Sequence, residues 1–302
     1  MLYRPKTCVS LSECTLGLSF FVRQGFVDIP PPFLYNFVDE NKYEVAVMKE
    51  FFGFGGYSRA PEGYFSWQHL VFVSSLMAVM TLLAVVLGLK NRPKSLREKN
   101  RVLAWAAILI DSFEIFKIVL LCFRGHDPMA WLLNLPLFLC SIQLITLPLA
   151  AFSKGRVREA AVDFVFIFGL LGAVLGTYGA GQNYGCYPVL SFDNVVSGIT
   201  HSISGFAAIY IGVARMTDMK KRNIPITFAI MLFFCAAAYI ADRLIPYNYM
   251  FLMRGDGTPY DIFYNLVNGS PVLYPMIVVL LFIVYIALFY YVFFLIRRRR
   301  SK

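Results

Sequence analysis

Apolar runs of about 20 residues, separated by short polar loops, recur along this chain and restrict the folds open to it. A helix of about that length crosses the hydrocarbon core of a bilayer, ~30 Å thick, because each residue adds ~1.5 Å. Helices also satisfy their backbone hydrogen bonds internally, as lipid requires. Hydrophobic residues make up 58% of the chain and charged residues only 15%. The sequence therefore predicts an all-α, polytopic membrane helix bundle.

Seven transmembrane helices are predicted to follow an N-terminal segment. They lie at roughly 68–89, 102–123, 131–152, 160–178, 194–214, 224–245 and 272–296. We assign 68–302 to a seven-helix transmembrane domain and 1–67 to an extracytoplasmic or interfacial segment. Within that segment, Tyr43 to Phe52 are expected to form a short amphipathic helix at the membrane interface.

The basic residues are concentrated between or after the predicted spans. Four segments, 90–101, 154–158, 215–222 and 297–302, hold 18 of the 28 Lys and Arg residues. Cytoplasmic loops carry such an excess, so the N-terminus is predicted outside and the C-terminus in the cytoplasm. The net charge of +10 then faces anionic lipid, and no nucleic-acid recognition motif accompanies it. We expect a cell-membrane protein whose partners are membrane lipids, with no nucleic acid bound.

Cysteine and histidine positions argue against a metal site. The chain has three histidines and no Cys/His pair with ligand spacing, so neither a metal nor another cofactor is expected. Three cysteines, Cys8, Cys14 and Cys186, fall in segments predicted to lie outside and could form one disulfide.

The third predicted span, Trp131 to Phe152, carries no charge but holds several polar groups near its middle. These are Cys140, Ser141 and Gln143. Pro136 precedes the cysteine by four residues and removes one backbone N–H, so the helix can kink beside the thiol. In lipid such a defect is tolerated against protein or a small water-filled pocket.

A thiol, a carboxylate and an imidazole are predicted at similar depths on three spans. Counted from the outer ends, Cys140 and Glu114 lie ~13 Å deep and His201 roughly 10 Å deep. A cysteine needs a nearby base to become a thiolate, and histidine is the usual partner. We therefore hypothesise that Cys140 is a nucleophile, that His201 is its base and that Glu114 orients the imidazole. The candidate substrate-binding residues are His69, Lys117, Gln143, Asn248 and Tyr249, the last two at the outer mouth.

Other interpretations of the same residues stay open. Asp111, Glu114 and Lys117 lie on one stripe of a helix, where the last two can form an ion pair that holds the bundle together. Alternatively, Asp111, Glu114, Lys117 and His201 line the polar path of a transporter or ligand-binding bundle without catalysis. A third alternative is a non-catalytic partner subunit or sensor. Gly169, Gly172, Gly176 and Gly179 share nearly one helical face, which favours close helix packing.

Several segments, in order, resemble a known family. They are FSWQHL (65–70), the charged second span with Glu114 and Lys117, NLPLFLCSIQ (134–143), THSISGFAAIYI (200–211), and YNYMFLMRGDGTPY (247–260) with the later SPVLYP. From about Phe51 onward the chain resembles the YwaF-type bacterial integral membrane proteins, which are similar to a eukaryotic transmembrane acyltransferase of ether-phospholipid metabolism.

The resemblance implies a seven-span bundle that transfers a fatty acyl chain between lipids through a cysteine. On this chain that cysteine would be Cys140, with His201 and also His69 as candidate bases. The family segment usually has a histidine two residues before its cysteine, where this chain has Phe138. This chain therefore either lacks the function of that imidazole or has it at His201.

Overall fold

The computed structural model describes residues 45–300, and all regular secondary structure within them is helical. The helices are α1 (described over 45–52), α2 (Trp67–Asn91), α3 (Leu96–Arg124), α4 (Gln143–Phe152), α5 (Gly155–Thr177), α6 (Gly181–Cys186), α7 (Phe192–Val213), α8 (Ile224–Leu244), α9 (Asp261–Leu266) and α10 (Leu273–Arg300). Short 3-10 turns occur at Ala130–Asn134, Lys221–Asn223 and Tyr249–Phe251. The all-α prediction is confirmed, and a helix is present at 45–52.

Within the described part of the chain, five helices are long and apolar enough to cross a membrane. They cover Trp67–Asn91, Gly155–Cys186, Phe192–Val213, Lys221–Leu244 and Leu273–Arg299. These helices support a multi-pass membrane protein. The 29-residue α3 is long enough to cross but carries charges in its central part. The count of seven spans and the orientation of the termini stay predictions.

The third predicted span is not one helix. Residues between the first 3-10 turn and α4 form turns, because Pro136 has no N–H to continue a helical ladder. The hydroxyl of Ser141 then accepts a hydrogen bond from the Phe138 N–H at 3.0 Å, which stabilises the turn locally. The span predicted over 131–152 is therefore interrupted, beyond the kink expected at Pro136. Cys140 lies in a turn that leads into α4.

The described residues form two compact units. The first unit consists of 45–72 and 180–195. Here the N-terminal segment is tied to the later one: the Tyr57 hydroxyl donates to Asp193 at 2.5 Å, and the Val189 N–H donates to Glu62 at 2.7 Å. Cys186, also in this unit, is disulfide-bonded. Cys8 and Cys14 lie outside the described residues.

The second unit consists of 73–179 and 196–300 and is organised around α5. One face of α5 packs with α8 and α10 in a cluster that includes Phe164 and Phe168. Another face, which includes Val165, packs with α3, α4 and α7. A Cβ added to Gly169 would lie 2.7 Å from the Ser204 carbonyl oxygen. Close approach of α5 and α7 therefore requires glycine there, as the glycine spacing predicted.

Candidate functional site

Cys140 lies in the turn before α4, where its backbone packs against α5. A Cβ built on Gly172 would lie 3.4 Å from Cα and 3.5 Å from Cβ of Cys140. The thiol is half-buried and is not part of a disulfide. It is therefore held at a helix surface inside the bundle and keeps some accessibility.

His201 on α7 fills the next recess along the same face of α5. A Cβ built on Gly176 would lie 2.6 Å from Cγ of His201 and closer still to Cδ2 and Nε2. Gly172 and Gly176 are four residues apart, so their recesses are adjacent. The side chains of Cys140 and His201 lie in these neighbouring recesses, within electrostatic range of each other. At these two positions the glycine spacing makes room for polar side chains as well as for helix packing.

The hydrogen bond on the other side of the ring fixes the tautomer of His201. Nδ1 lies 2.7 Å from the carbonyl oxygen of Ser197, one helical turn earlier on α7. A carbonyl oxygen only accepts, so Nδ1 carries the proton of the neutral imidazole. Nε2, on the edge that faces α5, is then the lone-pair nitrogen. This is the arrangement in which an imidazole can accept a proton from a thiol.

Two charged side chains in the middle of α3 pair with each other. Glu114 and Lys117 form an ion pair, and their side chains are only 12% and 17% exposed. This geometry agrees with the ion-pair interpretation, since two unpaired charges would be costly at such burial. Glu114 lies within electrostatic range of Cys140, and Lys117 within range of His201. The partner of the imidazole Nδ1 is the Ser197 carbonyl, so the orienting role expected of Glu114 falls to a backbone group.

Gln143, the first residue of α4, presents an unusual buried donor. Its side chain is fully buried, and its Oε1 accepts a hydrogen bond from the Thr146 hydroxyl at 3.2 Å. Its Nε2 has no hydrogen-bond partner among the described residues. Gln143 follows Cys140 by three residues, so an unused N–H donor lies within one turn of the thiol in sequence.

The side chains of Asn248 and Tyr249 are engaged in structural contacts. Asn248 donates to the Arg254 carbonyl and to Asp256, each at 2.8 Å, and accepts from the Met253 N–H at 2.9 Å. The Tyr249 hydroxyl donates to the Leu132 carbonyl. Both side chains thus organise the loop after α8.

Phe138, at the position where the resembling family usually has histidine, packs in an aromatic cluster. Its ring centroid lies 5.3 Å from that of Tyr249 and 5.9 Å from that of Tyr247. An apolar ring fits this environment, and the only imidazole that the described second unit brings to Cys140 is that of His201.

His69 belongs to the first unit. Its side chain is fully buried, its Nδ1 accepts from the Phe65 N–H at 3.2 Å, and its ring stacks on Tyr184 with centroids 3.9 Å apart. The hydrogen bond and the ring contact explain why His69 is buried, and they give it a structural role in the first unit.

Two groups that shape the site were not predicted from the sequence. The Ser197 carbonyl is a backbone group, so no residue pattern marks it. Gly176 was visible in the glycine spacing, but only the tertiary structure shows that an imidazole occupies the space beside it.

Comparison with known proteins supplies a family. No curated protein and no solved structure shows a significant match to this chain. The TMEM164 family, a family of transmembrane proteins, matches residues 64–299, well over half of the 302 residues. That range contains α2 to α9, nearly all of α10, and every residue of the candidate site. The chain belongs to the TMEM164 family.

Proposed function

We propose that this protein is a membrane-embedded thiol acyltransferase that moves a fatty acyl chain from one lipid to another. The observation that carries the proposal is that Cys140 and His201 occupy adjacent recesses on one face of α5, with Nδ1 of the imidazole already bonded to a carbonyl. The resemblance of the segments around both residues to YwaF-type proteins and their acyltransferase relative supports the reaction class.

The chemistry follows from these two groups. Nε2 of His201 takes the thiol proton, and the sulfur attacks the ester carbonyl carbon of a donor lipid. The tetrahedral intermediate collapses, the leaving alkoxide takes the proton from His201, and a thioester on Cys140 remains. The hydroxyl of an acceptor lipid then gives its proton to His201 and attacks the thioester. The acyl group is transferred, the thiol is restored and no redox partner is needed.

An oxyanion donor completes the proposed site. The intermediate carries negative charge on the former carbonyl oxygen, and a positioned N–H donor stabilises it. Gln143 is our candidate because its Nε2 is buried, unpartnered and three residues from the nucleophile. The substrate-binding role predicted for Asn248 and Tyr249 has less support, since their polar atoms already have partners.

Acyl capture by the thiol tests the proposal. Purified protein in phospholipid nanodiscs is incubated with a phospholipid whose acyl chain carries a terminal alkyne, and the hydroxylamine-sensitive adduct is quantified. The adduct should form on the wild type and disappear in Cys140→Ala. Cys235→Ala and Cys122→Ala are matched controls that should retain it, because both thiols are elsewhere in the bundle. An adduct that persists in Cys140→Ala would overturn the proposal.

A polar path for transport is the second candidate, and one observation favours it. Asp111 Oδ1 is buried on α3 without a hydrogen-bond partner among the described residues. It shares a stripe with the Glu114–Lys117 pair, so the helix presents consecutive polar groups. Uptake into proteoliposomes that Glu114→Gln abolishes and Cys140→Ala leaves unchanged would favour transport over acyl transfer.

A further inference from the structure

A groove with apolar walls lies between α8 and α10 in the second unit. Its volume is about 780 Å³, within the usual range for small-molecule sites. Leu232, Ala236 and Tyr239 line one side, and Met276 and Leu280 line the other. No charged side chain is among the lining residues. Such a groove suits a hydrocarbon chain and offers nothing to a peptide backbone, whose N–H and C=O groups would stay unpaired.

The groove is about as long as the hydrocarbon part of one leaflet is thick. On α10 it extends from Leu273 to Ile283, ten steps of ~1.5 Å or roughly 15 Å. That is half of a ~30 Å hydrocarbon core. Both wall helices are long and apolar enough to span the membrane. Met276 and Leu280 are 62% and 56% exposed, so the groove opens sideways toward lipid.

A cation lies at the end of the groove nearest the C-terminus of α8. Arg243 is exposed, donates to the hydroxyl of the groove residue Tyr239 at 2.7 Å and lies 5.1 Å from the centre of its ring. No carboxylate of the described residues forms an ion pair with it. The adjacent Asp242 is buried and accepts from the Tyr249 N–H at 2.7 Å. The guanidinium is thus held at the mouth of the groove with donors available to a phosphate.

We propose that the groove binds one glycerophospholipid of the surrounding bilayer, with an acyl chain between α8 and α10 and the phosphate against Arg243. This site uses neither Cys140 nor His201, so it stands whether or not the acyl-transfer proposal holds.

Photocrosslinking with a phosphatidylcholine that carries a diazirine midway along one acyl chain tests the chain site. Crosslinks to α8 and α10 peptides are counted relative to those on α2, whose apolar surface is mostly lipid-exposed. Ala236→Trp should fill the groove and lower the ratio at least fivefold. The matched control Ile240→Trp, on an exposed part of α8 outside the groove, should leave it unchanged. Leu280→Trp fills the groove from the opposite wall and replaces Ala236→Trp as the test if that variant folds poorly. An unchanged ratio in both blocked variants would overturn the proposal.

A second comparison tests the phosphate contact. One interfacial arginine raises the affinity for a lipid phosphate about fivefold. Arg243→Gln should therefore lower groove crosslinking of the phospholipid probe about fivefold, whereas Arg243→Lys should retain most of the crosslinking. A diazirine fatty alcohol, which lacks phosphate, should label wild type and Arg243→Gln equally. Equal losses with both probes would show that Arg243 acts on the fold, and the headgroup assignment would then be wrong.

Discussion

Replacing Gly176 by alanine tests whether the imidazole of His201 activates the thiol of Cys140. The added Cβ would lie 2.6 Å from Cγ of the imidazole, whereas carbon atoms in contact stay about 3.5–4.0 Å apart. The ring must therefore retreat by roughly 1 Å or more. Misplacing a catalytic group by about 1 Å can cost ~10²-fold in rate.

The effect on stability should be smaller than the effect on reactivity, in which a 100-fold change corresponds to about 2.7 kcal/mol. Alanine in a helix interior gains about 1 kcal/mol over glycine, while overpacking typically costs about 1–3 kcal/mol. The gain offsets part of the cost, so the free energy of unfolding should fall by no more than about 2 kcal/mol. Gly172→Ala is the matched control, because its Cβ would lie 3.4 and 3.5 Å from Cys140 atoms, at ordinary contact distance.

The assay is the alkylation rate of Cys140 by an iodoacetamide probe in nanodiscs, followed on the Cys140 peptide by mass spectrometry, in a background where Cys122 and Cys235 are alanine. Gly176→Ala should slow alkylation about 100-fold, and Gly172→Ala should change it less than threefold. Thermal unfolding is measured in parallel for both variants. If Gly176→Ala folds normally and its thiol reacts at the wild-type rate, the imidazole does not activate the thiol and the reasoning fails.

Three further predictions concern neighbouring parts of the chain. Gln143→Met should slow acyl transfer about 10²-fold by removing the oxyanion donor but leave thiol alkylation unchanged; equal loss in both assays would contradict the oxyanion role. Lys117→Met leaves Glu114 buried and unpaired and should destabilise the fold by about 3 kcal/mol, whereas replacing both by Gln and Met should cost clearly less in chemical denaturation. Backbone N–H groups of 58–59 lower the pKa of Glu50, so its stabilisation is present above the unfolded-state pKa and is lost as the pH falls through the folded-state pKa. Hydrogen exchange at 58–59, corrected for intrinsic rates, should therefore speed up on acidification in the wild type and be fast at all pH values in Glu50→Gln; a pH-independent wild type would contradict this.

The interrupted helix before α4 shows what the sequence pattern of this segment predicts and what it does not. Hydrophobicity alone predicts one span over 131–152, because an uncharged run of that length satisfies the bilayer. Pro136 signalled a kink, and the structure shows a complete interruption stabilised by the Ser141 hydroxyl. The size of the interruption depends on tertiary packing against α5, which provides the hydrogen-bonded, protein-covered surroundings that a non-helical backbone needs.

The sequence by itself determined the all-helical class and the membrane-spanning character, and it predicted a thiol and an imidazole at similar depths. Those features follow from local composition and helix geometry, which act within a single segment. Only the tertiary structure decided that Cys140 and His201 lie in adjacent recesses beside α5, because depth fixes one coordinate while helix rotation and neighbours fix the others. It also gave Nδ1 of the imidazole the Ser197 carbonyl as its partner, whereas the Glu114–Lys117 pair was predicted from its i, i+3 spacing on one helix. Contacts between helices depend on side-chain distances that the spacing along a single helix does not encode.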